Sequence, residues 1–341
     1  AVIIAPNHTN ALMDALVVLN YDRKPKVFIA RADIFKTPIF AKVLKFLKIM
    51  PMMRIRDGVS EVKKNDDTIK KSVDVLLDKV PFCILPEGRH RAQHSLLPLG
   101  KGIFRVALQT QELLDSKTPL YIVPFGIEYG NFYRFRSTVL VQVGDPIDVR
   151  DCLNGRGPDA YPFVMNEMKE LLSNKMKEVI LYIPDDEYYE ATYELCAIMN
   201  NSPEDLESKF KTNKETVAHI QEIREKQPEK GEKLLSLADK VSKMRQKSKI
   251  SLNSVVMRFP FWSRLIKTLI LLVALPLVLA SAVTFVPIMI LSGIVLRKIK
   301  DRAFHNSIRY IFHLVVWPLL VLIYTIVFFC TLPWEFALAA S

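Results

Sequence analysis

Nowhere in its 341 residues does the chain carry a G-x-S-x-G segment. Without that elbow the serine hydrolase and lipase class has no nucleophile to offer. Zinc-finger spacing, an RNP-like aromatic motif and a helix-turn-helix signature are missing too, which removes the nucleic-acid-binding modules that depend on them. Cysteine is scarce. The four that occur, Cys83, Cys152, Cys196 and Cys330, are not spaced as CxxC and do not pair with histidine at metal-site spacing. They read as buried or neutral thiols in a reducing compartment. No methionine and no signal peptide open the chain. It begins at Ala1, inside an apolar run, and a further upstream segment is expected.

What is present is basic. Lysine and arginine total 47 against 36 acidic residues, a net charge of +11. Such a balance suits an anionic partner. With long apolar stretches in the same chain, anionic lipid headgroups fit better than nucleic acid.

Short apolar runs alternate with helical patterns over the first 150 residues. Strands are expected at 2–5, 27–30, 82–85, 121–127 and 138–143, because each is a brief Val/Ile/Phe-rich run closed by a breaker such as Pro6 or Pro86. Helices are expected at 11–20, 65–79 and 103–114, with a basic amphipathic stretch at 39–48 carrying Lys42, Lys45 and Lys48. This order predicts an α/β domain with a layered, mostly parallel sheet flanked by helices. Residues 151–257 lack strand signals and read as a helical appendix. Residues 258–341 read as membrane-embedded helices.

Two apolar stretches support that last assignment. Residues 268–296 carry no charge, and residues 310–334 carry only His313. Each exceeds the roughly 20 residues that cross a bilayer. The segment between them, Arg297-Lys298-Ile299-Lys300-Asp301-Arg302, is basic, and so is the approach, with Lys243, Arg245, Lys247, Lys249, Arg258 and Arg264 interleaved with Phe259, Phe261 and Trp262. Basic residues among aromatics suit a cytoplasmic interface. Since both flanks of the first stretch are basic, a turn within it at Pro276 and Pro287 is expected, keeping both flanks and the α/β domain on the cytoplasmic face.

The chemistry centres on Asn7-His8-Thr9-Asn10-Ala11-Leu12-Met13-Asp14, which follows a strand and opens a helix. A histidine at a strand end with an aspartate in the next helix forms a base and its orienting group. The carboxylate fixes the imidazole tautomer, and the free ring nitrogen takes a proton from an alcohol. If that alcohol belongs to the substrate, no protein nucleophile is needed. Two more segments lie at strand ends or on strands: Leu85-Pro86-Glu87-Gly88-Arg89 and Tyr121-Ile122-Val123-Pro124-Phe125-Gly126-Ile127. His90 and His94 stand four apart but lack a third ligand, so no metal is expected.

In this order and spacing, the three segments resemble the glycerolipid acyltransferase superfamily of lysophosphatidate and glycerol-phosphate acyltransferases, over roughly residues 1–150. The family's Asn-His…Asp block is matched by Asn7, His8 and Asp14, with five residues between His8 and Asp14 where four are usual. An extra residue turns a helical side chain by about 100°, so the local backbone must compensate. A second block is matched by Phe28, Ile29 and Arg31 without its leading glycine. The third is matched by Leu85, Pro86, Glu87 and Gly88, with Arg89-His90-Arg91 in place of Thr-Arg-Ser. The fourth is matched by Val123, Pro124 and Gly126.

The resemblance implies His8 as general base and Asp14 as its partner, with Asn7, Glu87 and Gly88 at the substrate. Arg31, Arg54, Arg56, Arg89 and Lys101 are the cations for an acceptor phosphate, which arginine's planar fork suits. Glu87 is expected to hold a glycerol hydroxyl or to orient an arginine. The donor is an acyl thioester, on coenzyme A or acyl carrier protein, and no cofactor is implied. The expected acceptor is the hydroxyl of 1-acylglycerol 3-phosphate, with glycerol 3-phosphate or dihydroxyacetone phosphate as the alternative. Backbone N–H groups at the helix start would meet the oxyanion. A catalytically silent membrane scaffold is the reading outside enzymology, and the intact His8, Asp14 and Glu87 stand against it.

Overall fold

The computed structural model of the chain describes all residues except 37, 53–64, 116, 135, 201–204, 253–259, 332 and 336–341. Its centre is a seven-stranded sheet. β1 (Val2–Pro6) lies between β4 (Phe82–Cys83) and β5 (Tyr121–Tyr129), parallel to both. β2 (Val27–Arg31) pairs parallel with β4 and with β3 (Ile49–Met52). β6 (Val139–Val143) and β7 (Ile147–Asp148) both run antiparallel to β5. The sheet is therefore mostly parallel, as its short continuous apolar strands require.

Helices cover both faces. α1 (Leu12–Tyr21) packs Val18 against Ile4, Phe28 and Phe125. α2 (Pro38–Phe46) follows β2 and leaves Phe46 exposed. On the opposite face α3 (Asn65–Leu77) and α4 (Gly102–Leu113) bury Leu76, Phe104 and Leu108 against Ile3, Phe82 and Ile122. After the short α5 (Val149–Leu153), α6 (Tyr161–Val179) adds Met168 and Leu172 to that layer. Gly126 explains itself here: a Cβ on it would stand 1.9 Å from the Val179 carbonyl oxygen, so only glycine lets the end of α6 lie on β5.

α7 (Tyr189–Met199), α8 (Leu206–Lys226) and α9 (Pro228–Lys247) form a helical group joined to the sheet through Leu140, Leu181 and Ile183. Two apolar helices follow, α10 (Phe261–Arg297) and α11 (Ala303–Thr331). They lie beside each other, with Phe285 and Trp317 stacked at 4.6 Å.

Three expectations are corrected. Pro276 and Pro287 do not turn the chain: α10 continues through both, and the hairpin is made by α10 with α11. A helix interior tolerates proline where neighbouring groups take up the freed carbonyls. The strand at 82–85 stops at Cys83, because Leu85 already begins the turn closed by the Gly88 N–H. β3 and β7 have no counterpart in the sequence reading. Pro51 disguises the first, and the second is two residues long.

Candidate active site

β1 ends at Pro6, and the chain leaves the sheet through Asn7. The Asn7 side chain accepts from Ile127 N–H at 2.7 Å and donates to Ile127 C=O at 3.1 Å. Both of its polar ends are thus occupied by β5, and it fixes where the next residue starts. His8 is held by its backbone: its N–H donates to Glu87 Oε1 at 2.7 Å, and its C=O accepts from Arg91 N–H at 3.1 Å.

Asp14 is fully buried and gathers four donors. Oδ2 accepts His8 Nδ1–H at 2.8 Å, Thr9 N–H at 2.8 Å and Asn10 N–H at 2.7 Å. Oδ1 accepts the Tyr129 hydroxyl at 2.8 Å. The five-residue gap is absorbed at Ala11, whose φ of 49° is rare for a residue with a Cβ. That bend folds the loop back so that the carboxylate meets both the imidazole and the two amides. With the tautomer assigned from this bond, His8 carries its proton on Nδ1 and leaves Nε2 free to act as a base. The Thr9 and Asn10 amides are spent on Asp14, so they are not the oxyanion donors expected at this helix start.

Tyr129 is the partner that sequence reasoning missed. Burial first, and then the neighbouring Asp14 carboxylate, push its hydroxyl far above the ordinary range, so it stays a donor.

Glu87 takes no arginine, one of its two expected partners, among the described residues. Oε1 takes the His8 amide and Oε2 the Leu97 amide, at 2.7 and 2.9 Å. It braces two loops rather than facing an arginine. Burial pushes its carboxyl up to about 7, against the pull of the Leu97 and His8 amides. Gly88 has a φ of 64°, the left-handed turn that swings Arg89 outward.

The expected cations are placed unevenly. Arg89 is exposed and makes no ion pair among the described residues. Lys101 is exposed at the start of α4, next to Gly100, whose N–H reaches Pro86 C=O at 2.7 Å. Arg31 ends β2. Arg54 and Arg56 lie outside the described residues. Arg91 is committed to Asp185 and Ser95, both at 2.6 Å. His90 and His94 diverge, His90 towards Asp301 at 2.8 Å and His94 towards Glu128 at 3.2 Å.

A partly exposed histidine on a fully buried carboxylate, a braced Pro-Glu-Gly turn and an exposed arginine next to it are an arrangement that can deprotonate an alcohol beside an anion. Residues 1–128 match the family model described as Acyltransferase. The match falls on the stretch whose motifs resemble the glycerolipid acyltransferase superfamily. This stretch is similar to two proteins of Saccharomyces cerevisiae. To glycerol-3-phosphate O-acyltransferase 1 it is 30% identical over 106 residues, covering 30% of this chain and 14% of the relative. To glycerol-3-phosphate O-acyltransferase 2 it is 27% identical over 121 residues, covering 36% and 16%. The match thus spans about one-seventh of each yeast protein's length. Among solved structures, the 1-acyl-sn-glycerophosphate acyltransferase PlsC of Thermotoga maritima overlaps 52% of this chain and 65% of its own, at 18% identity and a TM-score of 0.33.

Proposed function

We propose that the chain is a membrane-bound acyltransferase that moves a fatty acyl group from a thioester to the hydroxyl of a glycerol phosphate. The observation that carries this reading is the His8–Asp14 pair, 2.8 Å apart, in a superfamily domain without a protein nucleophile in the pair. His8 Nε2 takes the acceptor's hydroxyl proton as its oxygen attacks the thioester carbonyl. The C–S bond breaks as the tetrahedral oxyanion collapses, and the thiolate recovers the proton from His8. Asp14 stabilises the imidazolium in between. Arg89 meets the acceptor's phosphate. The acyl carrier is coenzyme A or acyl carrier protein.

Two acceptors fit. 1-Acylglycerol 3-phosphate suits a site beside apolar helices, whereas the names of the two yeast relatives favour glycerol 3-phosphate. A panel of glycerol 3-phosphate, 1-acylglycerol 3-phosphate and dihydroxyacetone phosphate with labelled acyl donor tests the reading. Transfer to none of the three defeats it.

The membrane part follows from α10 and α11, which are long and apolar enough to cross a bilayer and expose many of their large apolar side chains. The described segments before and after α10 both reach the catalytic domain. Before it, Leu252 lines a cavity with His94 and Tyr129. After it, Asn306 donates to Phe132 C=O at 2.7 Å, and the Phe132 ring lies 4.8 Å from that of His94. We therefore place both basic flanks of α10 on the same side of the membrane as the catalytic domain, with the unbroken α10 lying along the bilayer rather than across it, and take that side as cytoplasmic from the excess of Lys and Arg.

A further inference from the structure

The turn between α10 and α11 lies against the candidate active site. Asp301 Oδ1 accepts the Ala303 N–H at 3.0 Å and caps α11, while Oδ2 holds His90 Nε2 at 2.8 Å. The carboxylate is therefore fixed by its own helix and fixes the histidine in turn. The His90 ring meets Phe304 edge-on at 4.7 Å and His8 edge-on at 5.4 Å. On the other side of the post-His8 loop, Asn306 and Asn10 donate to the same carbonyl, that of Phe132, and Arg302 lies 4.6 Å over the Tyr133 ring. The turn is thus pinned at three points around His8, 211 residues from His90 in the chain at the Asp301 contact.

The turn is also charged for an anion. Arg297, Lys298, Lys300 and Arg302 surround a single acid, Asp301, and that acid is engaged by His90 and the helix cap. Arg89, exposed, precedes His90 in the chain. The edge-on contact, 5.4 Å between ring centroids, keeps His90 within a glycerol phosphate's length of His8.

We propose that this turn is one wall of the acceptor site, and that Asp301 is a positioning residue that holds His90 so that His90 and Arg89 together bind the acceptor's phosphate. The inference deepens the function proposed above and rests on it. Two sources share this chemistry, free glycerol 3-phosphate and the headgroup of 1-acylglycerol 3-phosphate.

The test uses the full chain in lipid nanodiscs. Asp301→Ser keeps a good helix cap, since serine caps about as well as aspartate, but is too short to reach His90. Losing a charge-assisted bond of this kind is expected to raise KM for the phosphorylated acceptor about tenfold, with kcat nearly unchanged. His90→Ala should do at least as much, and His90→Arg, which keeps a donor there, should restore most of the affinity. KM for 1-acylglycerol, which has no phosphate, should not move. Whichever phosphorylated acceptor responds identifies the source. An unchanged KM, a loss of kcat alone, or equal effects on 1-acylglycerol and its phosphate would overturn the proposal. Calorimetric binding of glycerol 3-phosphate reads the site without turnover. If wild type binds it and Asp301→Ser weakens it, the site stands even where acyl transfer fails. If both bind it equally, the wall is refuted whether or not transfer occurs.

Discussion

Asp14 reaches His8 Nδ1 at 2.8 Å across a five-residue gap, and it does so because Ala11 turns the backbone through a φ of 49°. A regular helical continuation would have swung the carboxylate off by about 100°. The same bend delivers the Thr9 and Asn10 amides to the carboxylate. The pair is thus built from the loop's backbone as much as from its two side chains.

Asp14→Asn is expected to lower kcat by about 100-fold or more, because an amide cannot hold the Nδ1–H tautomer and leaves Nε2 protonated. Tyr129→Phe, which removes only the donor to Oδ1, should cost far less. Steady-state kinetics on both variants check this. Equal losses in the two would mean that Asp14 acts only through packing.

Arg89→Ala should raise KM for the phosphorylated acceptor more than it lowers kcat. Arg89 is exposed directly after the Gly88 turn and has no ion-pair partner among the described residues. A fall in kcat at constant KM would move it from the acceptor to the donor chemistry.

Glu87 predicts a pH effect on stability. Its carboxyl titrates near 4.5 when unfolded and about 7 when folded. The folded chain holds the proton more tightly, so this group's contribution is fully present below about 4.5 and is lost as the pH rises to about 7. Glu87→Gln removes that slope. It also turns an NH2 towards one of the two amides, at a cost of about 1–3 kcal/mol. Thermal unfolding of both proteins at pH 5 and pH 7.5 checks this, and an unaltered slope in the variant would contradict it.

The orientation of α10 is testable with single cysteines near Lys249 and at Lys300, on a chain whose native four are replaced. Both should react from the same side of sealed vesicles. Labelling from opposite sides would show that α10 crosses the bilayer.

The local parts of the site are legible in the sequence, and the distant parts are not. His8, Asp14 and the Pro86-Glu87-Gly88 turn stand at strand ends, where a short apolar run stops and polar residues begin. The parallel sheet follows from the alternation of such runs with helices. Tyr129 and Asp301 carry no comparable mark. One sits two residues past Ile127 on an ordinary strand, and the other is the lone acid in a basic linker. Each gains its role only when the fold brings it beside Asp14 or His90. The prolines of α10 mislead for a physical reason: a long apolar helix can continue through a residue that would end a solvated one.

His8→Ala tests the central claim most directly. Purified wild-type chain, given an acyl thioester and a glycerol phosphate acceptor, should release free thiol only when the acceptor is present. The variant should do so at least about 100-fold more slowly, the scale of a positioned base, with acceptor binding nearly unchanged. Thiol release by the variant near the wild-type rate would remove His8 from the mechanism, and none from wild type with any acceptor would leave a silent membrane scaffold.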